Sequence, residues 1–577
     1  MTPRTPKPGI DELRSARRQS RGLYWSVGCF SFFANLLMLT GPLYMLQVYD
    51  RVLGSRSEET LIALSILVAF LYGMMGLLDY ARGRIMGRAG ARFQTALDHR
   101  VFDAMVRRSA VSNDPKAQTG LTDLESVQRL IGSPVLMAVF DIPWTPVFLA
   151  GIALFHPWLG LLAIIGGSIL VLITLLNQMF SRGPMLQANI TAHKASQMSD
   201  EIRNEAEMIQ SMGMRGAAFK RWVGARDESL AGAVTASDVS GSFLTVSKTL
   251  RLFLQSAMLG LGAYLVLQNE LTPGAMIAAS ILLGRALAPI ELAIGQWAMV
   301  QRAMRGWSNL AELLEAVPPE APRTALPRPQ AKLSVQALTV IPPGEKRASL
   351  KNVSFEVKPG QAVGVIGPSA AGKSTLARAL TGVWRPAGGS VRLDGAALEQ
   401  YDPDVLGQHI GYLPQRVQLF DGTIAQNIAR LADQPDAEKV VAAAKTAAAH
   451  QMIVELPDGY DTRITAGGGR LSGGQMQRIG LARALYDDPV IVILDEPNSN
   501  LDNEGSQALN TAIKDMKTAG KSVLIMAHRP AAIQECDTLL VLDHGSKAAF
   551  GPKDDVLKEM VRYHQNIRNA ASMGGVR

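Results

Sequence analysis

The chain has 577 residues, which is too long for one ordinary domain and predicts two or more. Hydrophobic residues make up 47% of it and charged residues only 19%, and the apolar residues concentrate before residue 315. The net charge of +8 suggests either nucleic acid or basic residues gathered on one side of a membrane. The long apolar segments favour the membrane, so we expect no nucleic-acid partner. Only two cysteines occur, Cys29 and Cys536, so a disulfide framework is not supported.

Six apolar segments are long enough to cross a hydrocarbon core of about 30 Å as helices. After an N-terminal tail, 1–22, they lie at about 23–47, 60–80, 136–155, 158–178, 250–268 and 274–299. Lys and Arg concentrate in the tail, in 79–130 and in 182–251, whereas the turns at 156–158 and 268–273 contain neither. This alternation predicts a transmembrane domain over 23–315 with both termini in the cytoplasm. Buried helices of a soluble protein are the weaker alternative.

Two long polar segments, 81–127 and 187–238, are rich in helix-forming residues and predict extensions of the spans into the cytoplasm. A turn is expected in each, near 112–122 and near 210–216. The proline-rich stretch 316–332 is typical of an exposed linker. From Leu333 strands and helices alternate, which predicts an α/β domain over 333–570 and a short tail, 571–577.

A glycine-rich loop follows the apolar strand 362–366 and precedes a helix, which is the setting of a phosphate loop. Its residues are Gly367, Pro368, Ser369, Ala370, Ala371, Gly372, Lys373, Ser374 and Thr375. The glycines let the backbone approach phosphates, Lys373 neutralises the β and γ phosphates, and the Ser374 hydroxyl can bind magnesium. The sequence therefore predicts a site for ATP and Mg²⁺.

A second apolar strand, 490–494, ends in Asp495 and Glu496. An aspartate at this place can hold magnesium, and the next carboxylate can orient or deprotonate the attacking water. The alternative interpretation is two acids that merely cap a strand end.

A further glycine motif, LSGGQ, contributes Ser472, Gly473, Gly474 and Gln475 at the start of a predicted helix. This would be a second anion cradle for one nucleotide. The order of phosphate loop, Gln415, LSGGQ, Asp495-Glu496 and His528 resembles the nucleotide-binding domains of ABC proteins.

That resemblance implies that Gln415 contacts magnesium and the attacking water, that His528 hydrogen-bonds the γ phosphate, and that Asn500 to Asp502 form the D-loop. It also implies that LSGGQ closes on ATP held by another copy. One membrane domain and one ATPase domain then make a half transporter. A homodimer is the simpler expectation, and a heterodimer remains possible in principle.

The N-terminal, membrane-spanning half of the sequence resembles one particular group of ABC exporters. TGPLYMLQVYDRVLGSRSEETLIALS, 40–65, and VFDIPWTPVFLAGIALFHPWLG, 139–160, closely resemble type I secretion ABC exporters, and the likeness to the alkaline-protease (PrtD-like) branch extends from about 20 to 560. The resemblance implies a bacterial inner-membrane protein, surrounded by membrane lipids, that exports unfolded proteins with an uncleaved C-terminal signal. Its expected partners are the secreted cargo, a membrane-fusion adaptor and an outer-membrane channel of the TolC type. An exporter of small molecules, lipids or peptides is the alternative, and a membrane-anchored regulatory ATPase is a weaker one.

Three departures from the family pattern stand out. The stretch TRITAGG places Ala466 where exporters usually carry a glutamate. Only aliphatic Val340 or Ile341 lies where many ABC domains stack an aromatic ring on adenine, so weak base stacking is expected. Only about twenty residues precede the first span, so we expect no N-terminal peptidase domain.

Four charged residues lie within or beside the last two predicted spans, namely Lys248, Arg251, Arg285 and Glu291. A charged group in a span is costly unless it faces water or a partner. These residues either line the translocation path or pair and reach toward the interface.

Overall fold

The computed structural model describes residues 8–559 except 113, 322, 466–470, 500, 502 and 529. The chain divides into two compact units, one up to Pro319 apart from Ala110–Ser112, and the other from Glu320 onward. Each unit has hydrophobic clusters of its own.

The first unit is helical. Its helices are α1 Pro8–Arg18, α2 Arg21–Leu37, α3 Thr40–Gln47, α4 Leu53–Ser55, α5 Glu58–Val111, α6 Pro115–Ile131, α7 Pro134–Asp141, α8 Thr145–Phe155, α9 Pro157–Asn204, α10 Ala206–Ser211, α11 Arg215–Leu267, α12 Pro273–Gly295 and α13 Trp297–Ala316. In the described part of the chain, six stretches are long and apolar enough to cross a membrane: Arg21–Ser55, Glu58–Val111, Pro134–Phe155, Pro157–Asn204, Arg215–Leu267 and Pro273–Gly295. The predicted fold of six membrane helices in this unit is confirmed.

The helix ends differ from those expected from hydropathy. The first stretch stays helical to Ser55 instead of ending near 47, because Val48–Val52 forms a π-helical turn. Within that turn, Asp50 accepts hydrogen bonds from the Gly274 amide at 2.8 Å and the Thr272 hydroxyl at 2.7 Å. It thereby satisfies a further amide at the start of α12, the sixth membrane helix, whose N-cap residue is Thr272. Helix ends depend on such caps, which a hydropathy pattern does not detect.

Two further spans are interrupted. A 3-10 turn, Ile142–Trp144, separates α7 from α8 within the third span, because Pro143 lacks the amide hydrogen that an α-helix requires. The sixth helix ends at Gly295 rather than 299, and α13 begins at Trp297 after Gln296, whose backbone leaves the helical region.

Polar side chains inside the apolar helices are paired with one another. Arg82 of α5 is buried, and it lies 2.8 Å from Asp141 of α7 and 2.9 Å from Asp79. Asn35 of α2 donates to the same Asp141 oxygen at 2.7 Å. This cluster joins three helices, and it places Asp141 in an ion pair.

Of the charged residues in the last two spans, Glu291 of α12 lies 3.0 Å from Arg251 of α11. Arg285 is exposed in the single chain. The sequence allowed Glu291 either to pair with another residue or to line the translocation path. The structure shows that it forms an ion pair with Arg251 of the same chain.

The second unit is an α/β domain. Its helices are α14 Lys373–Leu380, α15 Pro403–His409, α16 Ile424–Ile428, α17 Ala437–Thr446, α18 His450–Val454, α19 Gly473–Leu485 and α20 Asn503–Thr518. Its strands are β1 Leu333–Val340, β2 Leu350–Val357, β3 Ala362–Ile366, β4 Gly388–Leu393, β5 Ala396–Ala397, β6 Ile410–Leu413, β7 Gly422–Thr423, β8 Arg463–Ile464, β9 Ile491–Asp495, β10 Ser522–Met526, β11 Thr538–Asp543 and β12 Ser546–Pro552.

Two main sheets organise this unit. The larger has the order β12-β11-β3-β10-β9-β6, in which the strands from β11 to β6 run parallel and β12 is antiparallel. The smaller is antiparallel with the order β2-β1-β4-β5. Every residue of β9 and β10 is buried, as a parallel sheet covered on both faces requires.

The Arg82–Asp141 pair generates a prediction about stability. Arg82→Met or Asp141→Leu alone should lower the free energy of unfolding by about 3–5 kcal/mol, because Asp141 would lose its cation in the first variant and Arg82 would keep only Asp79 in the second. The double variant should recover much of this loss. Thermal unfolding of the purified protein in detergent measures all three.

An exposed ion pair of the same unit provides the control. Arg129 and Glu125 lie 3.3 Å apart with side chains 67% and 49% exposed, and Arg129→Met should change stability by less than about 1 kcal/mol. Additive losses in the Arg82 and Asp141 variants would contradict the pairing.

Candidate active site

The carboxyl ends of four neighbouring parallel strands carry most of the predicted site residues. The phosphate loop follows β3, His528 follows β10, Asp495 and Glu496 end β9, and Gln415 follows β6. Because β3, β10, β9 and β6 are adjacent and parallel, these groups leave the sheet at the same edge. This edge is where open α/β sheets bind their ligands.

The phosphate loop adopts a backbone that requires its glycines. Gly372 has φ +98°, and a Cβ there would lie 2.9 Å from the Ser349 carbonyl oxygen. A Cβ on Gly367 would lie 2.2 Å from the Leu542 carbonyl oxygen. Ala370 also has a positive φ of 62°. Loop and helix start therefore form a cradle of backbone amides, the arrangement that binds phosphate.

Lys373 is folded onto its own loop. Its ammonium group donates to the carbonyl oxygens of Gly367 at 2.8 Å and Pro368 at 2.9 Å. Burial lowers the pKa of Lys373, and the nearby carboxylates of Glu496 and Asp495 oppose that effect. The ammonium group thus sits at the loop where a phosphate oxygen could replace the two carbonyls.

Asp495 has the features of a magnesium ligand. It is only 2% exposed, and its Oδ1 atom has no hydrogen-bond partner within the described part of the chain. Burial raises the pKa of Asp495, and a hydrogen bond with the Ser374 hydroxyl counteracts this. A buried carboxylate oxygen beside a hydroxyl fits Mg²⁺, which takes few protein ligands alongside phosphate and water.

No cluster of three or more His, Cys, Asp or Glu side chains that could hold a metal by themselves occurs among the residues the structure describes.

Glu496 is held in a strained conformation next to His528. Its φ is +53°, which costs about 1–3 kcal/mol for a residue other than glycine and is typical of functional sites. Its Oε1 lies 3.1 Å from Nε2 of His528, and its amide donates to the Met526 carbonyl at 3.0 Å. The two side chains are 24% and 37% exposed, so water can reach the carboxylate.

The LSGGQ residues lie at the exposed start of α19. Ser472 caps this helix by accepting the Gln475 amide at 3.2 Å, while the Gln475 side chain accepts the Ser472 amide at 2.8 Å. Helix α19 packs on α16, α17 and β6, whereas α14 packs on β9 and β10. Within the described ranges, no hydrogen bond or ion pair joins Ser472, Gly473, Gly474 or Gln475 to the phosphate loop.

Gln477 is a residue that the sequence interpretation missed. It is buried in α19 and donates to the carbonyl oxygens of Glu496, at 3.4 Å, and Pro497. It therefore ties α19 to the loop that follows Glu496. Gln477 lies five residues after Ser472, and a glutamine at this position of a helix does not by itself indicate a function in a single sequence.

The remaining predicted residues differ in their surroundings. Gln415 is exposed just after β6. Val340 is fully buried in β1, which leaves Ile341, 40% exposed, as the aliphatic residue able to meet a base. Asp502, Asn500 and Ala466 lie outside the described residues.

Comparison with known families gives two matches. Residues 350–499 match the family described as ABC transporter, and residues 24–287 match the ABC transporter transmembrane region. The second unit is thus an ABC ATPase domain, which binds nucleotide.

Known relatives and solved structures agree. The chain is 44% identical over 558 residues, 96% of each chain, to the type I secretion system ATP-binding protein PrsD of Rhizobium meliloti. It is 28% identical to the toxin RTX-I translocation ATP-binding protein of Actinobacillus pleuropneumoniae and to the alpha-hemolysin translocation ATP-binding protein HlyB of Escherichia coli O157:H7, covering in each case 92% of this chain and 75% of the relative.

A bacterial Atm1-family ABC exporter with ATP bound has the same fold, with a TM-score of 0.78, 23% identity, and coverage of 96% of this chain and 98% of the other. Fold and relatives thus point to one group of proteins. The chain belongs to the ABC transporters and, within them, to the ATP-binding proteins of type I secretion systems.

Proposed function

We propose that the protein is the ATP-driven inner-membrane exporter of a type I secretion system. Its cargo would be unfolded proteins with an uncleaved C-terminal signal, such as RTX-type proteases or other hydrolases. The observation that carries the proposal is the shared edge of β3, β10, β9 and β6, where Lys373, Asp495, Glu496 and His528 lie together in a chain that also contains six apolar helices. The names of the relatives, which concern secretion and toxin translocation, support the choice of cargo.

The residues of this edge would divide the work of hydrolysis. The phosphate loop amides and Lys373 would hold the β and γ phosphates. Ser374, Asp495 and Gln415 would hold Mg²⁺, which neutralises phosphate charge when bound. Glu496 would orient the attacking water and accept its proton, and His528 would position Glu496 and bond the γ phosphate.

A second copy of the chain would complete each site. Ser472 and Gly473 are exposed at the start of α19, where the backbone amides of Gly473 and Gly474 form the positive end of the helix, which is the arrangement that attracts an anion. Since they make no hydrogen bond to the described phosphate loop of their own chain, we infer that they close on the γ phosphate bound by a partner.

The cellular setting follows from the same family. We place both termini in the cytoplasm, because Lys and Arg concentrate in the N-terminal tail and in the polar helical extensions. The partners would be a membrane-fusion adaptor, a TolC-type outer-membrane channel and the lipids of the inner membrane.

Secretion can be tested directly by expressing the chain with its adaptor and channel in cells that lack a type I system. A protein carrying the C-terminal signal should reach the medium uncleaved, and removal of its last residues should keep it inside. Retention of the intact cargo, combined with ATP hydrolysis stimulated by small apolar molecules, would overturn the proposed cargo class.

Glu496→Gln should slow ATP hydrolysis by roughly 100-fold to 10,000-fold, since a positioned base contributes about that much. Nucleotide affinity should remain close to normal. Lys373→Ala should instead weaken nucleotide binding, because the phosphates lose their cation. Hydrolysis rates and binding of a fluorescent ATP analogue distinguish the two, and exposed Glu455→Gln serves as the control. Normal turnover by Glu496→Gln would remove it as the base.

The shared-site arrangement can be tested by mixing two inactive variants. Lys373→Ala disables one phosphate loop and Ser472→Arg disables one helix start. A mixed dimer then retains one intact site only if each site draws on both chains. We expect the mixture to regain part of the wild-type ATPase rate that neither variant has alone.

Asp436→Arg provides the matched control, because Asp436 also caps a helix, α17, by accepting the Glu438 and Lys439 amides. Its effect reports the loss of a cap alone, about 1 kcal/mol of stability. If the mixture stays inactive while mixed dimers form, each chain carries its own complete site.

A further inference from the structure

The first helix carries an unusual arrangement of arginines. Arg14 lies three and four residues from Arg17 and Arg18 on α1, and Arg21 begins α2 after the turn at Gln19 and Ser20. All four are exposed. Side chains of like charge at these spacings destabilise a helix. The helix dipole favours Arg17 and Arg18 in the last turn, and an anion against this face would relieve the remaining repulsion among the arginines.

The chain itself supplies little negative charge to this face. In the described residues, the ion pair recorded for these arginines joins Arg14 to Asp11 at 3.6 Å, and both side chains are more than half exposed. Such a pair contributes little. Arg17 instead lies over the ring of Trp307, 6.0 Å from its centre. The charge of the face is thus left largely uncompensated.

The opposite face of α1 is fixed to the rest of the unit. Leu13 and Ala16 are buried against α13, and a Cβ on Gly9 would lie 2.1 Å from the Ala311 carbonyl oxygen. Arg100 of α5 holds the Glu12 carboxylate at 3.0 Å. With one face held in this way, α1 cannot rotate, and the arginines stay directed away from the protein.

Arg100 also connects α1 to the end of α13. It donates to the carbonyl oxygens of Leu314 and Val317, at 3.4 and 2.5 Å, where the helical unit ends. The position of α1 is therefore set by two separate helices, α5 and α13.

The arginine face also lies next to the membrane. Arg21 is the first residue of the first apolar stretch, and Trp25, one turn further, is 79% exposed. Exposed tryptophan is typical of the boundary between acyl chains and headgroups. Basic residues directly beside a span attract anionic lipids, and each strengthens binding by about five-fold near the surface.

We propose that the arginine face of α1 binds the phosphate headgroups of anionic phospholipids in the adjacent leaflet. Guanidinium groups match phosphate through paired hydrogen bonds. A lipid is favoured over an acidic protein segment because the face continues directly into a span and is followed by Trp25. The proposal goes beyond secretion and does not depend on the cargo.

Quenching of Trp25 fluorescence tests this proposal on the full-length protein in nanodiscs. Brominated phosphatidylglycerol and brominated phosphatidylcholine are compared at equal content, and a Trp25→Phe variant gives the contribution of the other tryptophans. The wild type should be quenched more strongly by the anionic lipid. This preference should decline as salt is raised, because exposed charges are screened.

The key variant is Arg14→Gln/Arg18→Gln/Arg21→Gln, which leaves Arg17 on Trp307. Its preference for the anionic lipid should fall by up to roughly 100-fold, the product of three five-fold losses. The charge-conserving variant with lysine at the same three positions should keep most of it. The control Arg215→Gln/Lys220→Gln/Arg221→Gln removes the same charge from exposed positions on α11 and should change nothing.

Equal quenching of the wild type by both lipids would overturn the proposal, as would an equal loss in the α11 control. Displacement of the quenching lipid by a soluble polyglutamate peptide at moderate salt would assign the face to an acidic protein segment instead. If the glutamine variant fails to insert, the salt dependence of the wild type and the lysine variant still decide the matter.

Discussion

Phosphate chemistry in this protein depends on parallel pairing between strands that are far apart in the sequence. β3, β10, β9 and β6 are adjacent, and each ends at the same edge of the sheet. One strand delivers the phosphate loop, the next His528, the next Asp495 and Glu496, and the last Gln415. Because β9 and β10 are buried on both faces, these ends have little freedom to move.

Three residues of the site adopt arrangements that are uncommon elsewhere in proteins, and the surrounding sheet maintains them. Glu496 keeps a left-handed backbone, Asp495 keeps a buried oxygen without a hydrogen-bond partner, and Lys373 bonds the carbonyls of its own loop. The Asp495 oxygen would gain a partner from a bound cation, and the Lys373 ammonium group could exchange its two carbonyls for phosphate oxygens. Gln477 adds a physical link between the LSGGQ helix and the loop after Glu496. A displacement of the LSGGQ helix would therefore shift the loop after Glu496 through these hydrogen bonds.

The helical unit obeys a different constraint, since polar groups in apolar helices need partners within the protein. Asp141 meets Arg82 and Asn35, and Glu291 meets Arg251. Asp50 accepts hydrogen bonds from Thr272 and Gly274 at the start of the sixth membrane helix. These contacts hold helices that are distant in the chain, so an acid or base in a span need not mark the translocation path.

Local patterns in the sequence were enough to predict the membrane helices and the glycine-rich loop. Runs of apolar residues were sufficient for six membrane helices, and the spacing of Gly367, Gly372 and Lys373 predicted a glycine-dependent loop between β3 and α14, because both depend on residues close together in the chain. The tertiary structure alone decided the order of the strands, the contact of Glu496 with His528, and the pairing of Glu291 with Arg251. It also decided where helices end, as at Ser55 and Gly295. The physical reason is that these features arise from contacts between distant residues, and no single stretch of sequence encodes them.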